Sequence, residues 1–85
     1  MFLVNKRQSE TIEILTQTNH AIKIKELAER FHVSSRTVQY DIDCVRNFLR
    51  EYNIQITYSR RTGYQIVDKK TENIQKVYRA IHEME

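Results

Sequence analysis

Ser35, Arg36, Gln39 and Tyr40 are spaced so that a helix would carry them on one side. Their chemistry is that of reading rather than reacting. An arginine fork donates two parallel hydrogen bonds to paired acceptors, such as guanine O6 and N7, or to phosphate oxygens. A glutamine amide combines an acceptor with donors, which suits an adenine edge. Tyr40 adds an aromatic ring fit for a thymine methyl or a phosphate, and Ser35 and Thr37 offer hydroxyls in the same turn. Further along, Arg60-Arg61 lies two residues before the single glycine, Gly63, where a basic loop tip suits phosphate contact or minor-groove insertion.

Each of these residues also has a plainer reading. Arg36 can be a solvent arginine paired with Asp43 or Glu29, Gln39 a solvated side chain, and Tyr40 a cover for the end of the preceding helix. Arg60 and Arg61 can be ordinary loop charge, and Cys44 reads as an inert packing residue. Asp41 and Asp43 oppose a polyanion. Asp41 turns toward the first helix, a structural position within reach of a base such as Arg7 or Arg36, and Asp43 reads as lying beyond the groove.

Catalysis finds little support. Cys44 has no second cysteine for a disulfide or a zinc pair, and His20, His32 and His82 are scattered singly. The chain shows no nucleophile–base pair and no glycine-rich phosphate loop, so neither enzyme activity, a cofactor nor a metal site is expected. The longest apolar run, Met1–Val4, is too short for a membrane span or a signal-peptide core, so a cytoplasmic location is expected.

Charge narrows the partner. The net +3 is not spread evenly: residues 23–61 hold eight bases and five acids, 8 − 5 = +3, while the two flanks each sum to zero. A positive field confined to the segment that carries the reading residues suits a polyanion.

The elements that position these residues follow from periodicity and capping. Asn5 with Gln8 three residues on gives a capping-box start for a helix over about Asn5–Thr18, with Ile12 and Leu15 on its apolar face and Asn19 as its stop. Ile22 and Ile24, alternating with Lys23, predict a short extended piece. A second helix over about Ile24–Phe31 buries Leu27, Ala28 and Phe31, with the poor capper Lys23 before it, and Lys23 and Lys25 near its start are candidates for backbone phosphate. Val33 fills the angle at the break His32-Val33-Ser34, and Ser34 caps a third helix over about Ser35–Tyr52. Val38, Ile42, Val45, Leu49 and Tyr52 form its apolar stripe, leaving Arg36, Tyr40, Asp43 and Asn47 pointing away.

After Asn53 the period becomes two. Ile54, Ile56 and Tyr58 face one way, and Tyr64 and Ile66 alternate with Gln65 and Val67, so a hairpin is expected with Gly63 in the left-handed region of its turn. Thr71 is the expected cap of a last helix striped by Ile74, Val77, Ile81 and Met84. The fold class is therefore mainly α with a small β-hairpin: a winged helix-turn-helix, a three-helix bundle plus wing, with an additional C-terminal helix. The expected division is 1–68 for the winged helix and 69–85 for a helix that covers the core, dimerises or links. Its stripe is still running at Glu85, and a chain continuing into a further domain, such as a sensor, is expected.

At LAERFHVSSRTVQYDI and at ITYSRRTGYQI the chain resembles the N-terminal winged-helix domains of bacterial DeoR-type and BglG/MtlR-type transcription regulators. The shared pattern is Leu27-Ala28, Val33-Ser34, Arg36-Thr37-Val38, Asp41-Ile42 and Gly63-Tyr64, over roughly residues 7–67. The resemblance implies binding of double-stranded DNA, with Ser35, Arg36, Thr37, Gln39 and Tyr40 at the groove and Arg60 and Arg61 in the wing. Lys23 departs from the Ser or Thr cap often found there, and the 85 residues contain no sensor domain. The leading expectation is a sequence-specific regulator domain acting as a homodimer on two half-sites. The alternatives are the regulatory winged helix of a larger enzyme, such as a biotin ligase, and a winged helix that binds protein only.

Overall fold

A computed structural model describes residues 3–84; Met1 and Phe2 of the apolar opening run, and Glu85, lie outside the described residues. The chain folds as α1 (Lys6–Gln17), α2 (Ile24–Phe31), α3 (Ser35–Arg50), β1 (Ile56–Ser59), β2 (Gly63–Ile66) and α4 (Thr71–Met84). This is a winged helix-turn-helix with a C-terminal helix.

Local chemistry starts and stops the helices. The Asn5 side chain accepts from the Gln8 N–H at 2.8 Å while Gln8 Oε1 accepts from the Asn5 N–H at 3.1 Å, closing a reciprocal capping box. Thr18 turns extended and ends α1, one residue before the expected stop. At α2 only half a box forms: Glu26 Oε1 accepts from the Lys23 N–H at 3.3 Å, and Lys23 has no acceptor to return. The helix ends where His32 enters the left-handed region at φ 55°, which lets Val33 N–H reach the Ala28 carbonyl at 3.1 Å.

Ser34 Oγ accepts from the Thr37 N–H at 3.1 Å and opens α3. The helix stops at Arg50, short of Tyr52, because Asn53 adopts φ 59° and Ile54 N–H turns back to the Leu49 carbonyl at 3.1 Å. Thr71, expected as the cap of the last helix, is its first helical residue instead. The Lys70 carbonyl accepts the opening bonds from Asn73 and Ile74.

One core unites all six elements. Ile12 and Leu15 of α1, Leu27 of α2, Val38, Ile42, Val45, Phe48 and Leu49 of α3, and Val77 and Ile81 of α4 are buried together with Ile22, Ile54, Ile56, Tyr64 and Ile66. Phe48 lies outside the expected stripe, on the α3 flank shared with Asp41, whereas Ala28, Phe31 and Tyr52 are only half-buried. The Tyr78 hydroxyl of α4 pairs with Thr16 Oγ1, and Lys69 Nζ, just before α4, donates to the Thr18 carbonyl, so α4 and the segment leading into it are tied to the C-terminal end of α1.

Asp41 is 2% exposed and anchors α3 to α1. Arg7 donates to it through Nε and Nη2, and Gln8 Nε2 donates to Oδ1 at 3.0 Å. Among the described residues no buried side-chain nitrogen or oxygen lacks a partner. Asp41 thus takes the expected structural position, and its base is Arg7. These hydrogen bonds, before the direct charge attraction, raise the Arg7 pKa above its ordinary value. Removing Arg7 leaves a buried carboxylate with only a neutral donor, a severe loss for a pair like this. With Arg7 about one third exposed, Arg7→Ala should cost about 2 kcal/mol by chemical denaturation, and adding Asp41→Leu should restore much of it. Equal losses from the single and double variants would contradict the clamp.

Candidate nucleic-acid interface

The wing is joined to the α1–α2 connection by backbone, in addition to the Ile56, Tyr64 and Ile66 side chains it buries against the helices. Ile22, in the α1–α2 connection, exchanges both hydrogen bonds with Tyr64, each at 2.8 Å, so the two-stranded sheet gains one residue of a third strand. The expected extended piece is thus a single bridge. Within the hairpin the register is Ile56↔Ile66, Thr57↔Gln65, Tyr58↔Tyr64 and Ser59↔Gly63, with Arg60–Thr62 forming the tip. Gly63 has φ 111°, and a Cβ there would lie 2.3 Å from the Ile22 carbonyl oxygen. Glycine is needed here for close approach as well as for the turn.

The opening of α3 divides into free and engaged residues. Ser35 and Arg36 are exposed, and among the described residues Arg36 forms no ion pair, with Asp43 or Glu29 included. Thr37 is half-buried and shares a hydroxyl contact with Ser34 at 3.0 Å. Tyr40 is 64% exposed, and its hydroxyl pKa is raised, first by the neighbouring Cys44 thiol. Gln39 is half-buried and bonded, accepting at Oε1 from the Tyr64 hydroxyl at 3.3 Å and placing Nε2 3.5 Å from Asp43 Oδ1. Asp43 also pairs with Arg46 at 3.5 Å.

Basic residues line two clefts beside the wing. Arg60 and Lys23 line one shallow cleft of about 180 Å³ with Ile24, Tyr58 and Gly63. Arg61 is exposed beside them, its backbone N–H donating to Ser59 Oγ at 3.3 Å. Lys25 is exposed on the first turn of α2 but does not line that cleft. On the other side of the wing a groove of about 770 Å³ runs between α3 and β1, lined by Arg46, Arg50, Asn53 and Tyr58 among others.

Arg46 was not singled out from sequence. It lies seven residues beyond Gln39, two helical turns along the same flank, and that interval was the signal available. Tyr58, expected on the buried face, is 57% exposed because β1 is the outer strand of the wing, with β2 lying between it and Ile22. Its ring meets that of Tyr64 at 4.7 Å instead, tilted by 44°. Arg46 lies over the Tyr64 ring at 5.8 Å, so the flank of α3 and the wing share one aromatic–cation contact.

The model of the HTH domain family matches residues 7–65. The chain belongs to the HTH domain family. The match begins at Arg7 in α1 and runs to Gln65 in β2, so it takes in the whole surface described above and stops before α4. Neither the curated proteins nor the solved structures returned a match. Membership in this family points to DNA as the partner. No helix among the described residues is long and apolar enough to cross a membrane, and none of their His, Cys, Asp and Glu side chains form a group able to hold a metal.

Gly63 is the position on which the wing's attachment turns. Gly63→Ala should destabilise by at least about 2 kcal/mol, since the added carbon meets backbone that cannot swing aside and φ stays positive. For a domain of this size that lowers the melting temperature by roughly 10 °C. A melt unchanged from the parent would show that the wing is not held as described.

Proposed function

We propose that the chain is the sequence-specific DNA-binding domain of a bacterial, cytoplasmic transcription regulator of the DeoR or BglG/MtlR kind. The first turn and a half of α3 enters the major groove, with Ser35, Arg36, Thr37, Gln39 and Tyr40 toward the bases and nearby phosphates. Arg60 and Arg61 of the wing meet flanking backbone or minor groove, and Lys25 with Lys23 meets backbone. Residues 1–68 form the reading unit, and residues 69–85 cover the core and lead toward a dimer partner or a sensor domain.

The observation that carries this reading is the position of the charge. Within residues 23–61, where bases exceed acids by three, Arg36, Arg60, Arg61, Lys23 and Lys25 are exposed, while Asp41 is turned inward and paired with Arg7. Asp43, the remaining acid on the exposed side of α3, is paired with Arg46, which lessens its repulsion of phosphate. A single domain of this size gains limited affinity alone, which favours a dimer on two half-sites one helical turn apart.

Salt dependence tests the reading. Affinity for duplex DNA should fall steeply with salt, roughly 0.9 log units per decade for each phosphate neutralised. Arg60→Ala with Arg61→Ala should reduce that slope by about 2 while leaving the melting temperature nearly unchanged. Arg36→Ala should cost about 1–3 kcal/mol and relax preference at one base pair. A flat salt dependence, or no duplex binding at low salt, would contradict the proposal.

A further inference from the structure

We propose that Tyr64, from the wing, sets the base preference of α3: it occupies the acceptor of Gln39, so that Gln39 reads the groove as a donor and favours a G·C pair. This rests on the DNA-binding reading above and adds a specificity-determining residue outside the recognition helix. The amide has only one orientation that satisfies both its neighbours. A carboxylate can only accept, so the amide nitrogen belongs on the side of Asp43 Oδ1, at 3.5 Å. That leaves Oε1 for the Tyr64 hydroxyl, at 3.3 Å.

Tyr64 is well placed to hold this arrangement. Its backbone is locked to Ile22 by two hydrogen bonds of 2.8 Å, and its ring meets Tyr58 at 4.7 Å and Arg46 at 5.8 Å. The residue is 5% exposed and its hydrogen bond to Gln39 is partly buried, so swinging the Gln39 oxygen outward would cost the Tyr64 hydroxyl its partner. Two-point pairing with adenine needs the amide oxygen for N6 and the nitrogen for N7. Asp43 takes one N–H and Tyr64 one lone pair while holding the oxygen toward the wing, so the second N–H is the group left to face the groove. Guanine presents two acceptors there, O6 and N7, and no donor, so it is the better match.

Gln39 alone suggested adenine; the contact with Tyr64 moves the expectation to guanine. Tyr64 acts here as a positioning residue, since its own hydroxyl faces Gln39 rather than the bases.

Selection of bound sites from random duplexes, run on the parent chain, Gln39→Ala and Tyr64→Phe, decides the matter. Gln39→Ala should flatten one position of the selected site, and the parent should hold G·C there. Tyr64→Phe removes one oxygen and keeps the ring, and it should shift that same position toward A·T by about tenfold. A parent preference for A·T at that position, no position flattened by Gln39→Ala, or an unchanged preference in a folded Tyr64→Phe variant would each overturn the assignment. If Tyr64→Phe fails to fold, the parent and Gln39→Ala sites decide alone. A parent chain that binds no duplex at all would instead refute the DNA-binding reading, and this inference with it.

Discussion

The backbone of Ile22 lies against the Cα of Gly63, and the arrangement of the polar and basic surface around the wing follows from that approach. The two hydrogen bonds between Ile22 and Tyr64 join the chain entering α2 to the second wing strand. The wing cannot then swing freely about its base, as an isolated two-stranded hairpin would. Its tip is carried beside the start of α2, where Arg60 and Lys23 share a cleft, and its inner face is carried to α3, where Tyr64 meets Gln39. One backbone contact thereby sets the relation between three elements that supply polar and basic groups. Any side chain at position 63 would push them apart.

The opposite side of α3 is fixed by different physics. Asp41 brings a carboxylate into a nearly dry contact between α1 and α3, and that is tolerable because Arg7 and Gln8 supply its donors. Gln8 serves twice, closing the Asn5 capping box with Oε1 and reaching Asp41 with Nε2. The start of α1 and the middle of α3 are therefore set by the same side chain. The same arrangement removes one negative charge from the surface that would face phosphate. The remaining acid, Asp43, is held between Gln39 and Arg46, so neither carboxylate of α3 is left free toward the exposed side.

What was legible in the sequence is what depends on neighbours in the chain. The Asn5–Gln8 box, the Ser34 cap, the apolar stripe of α3 from Val38 to Leu49 and the turn at Gly63 rest on spacings of a few residues, and each is found where its pattern lies. The pairing of Asp41 with Arg7 was readable as one of two choices, because helix rotation showed which way Asp41 turns. The contacts that assemble the surface were not readable. Ile22 meets Tyr64, and Tyr64 meets Gln39, across long separations that no local period records. The left-handed turn at His32 escaped for another reason: glycine, not histidine, signals such an ending. Phe48 was missed because it sits on the flank of α3 where α1 packs, off the main stripe.

The central claim is that the first turns of α3 and the wing tip form one surface for DNA. Backbone amide shifts of the labelled chain, followed while a short duplex is added at low salt, test it residue by residue even with a duplex of arbitrary sequence. The account predicts that Ser35–Tyr40 and Arg60–Gly63 move together along one binding curve while α4 stays unchanged. Shifts concentrated on α4 or on residues 3–9, with Ser35–Tyr40 silent, would contradict it.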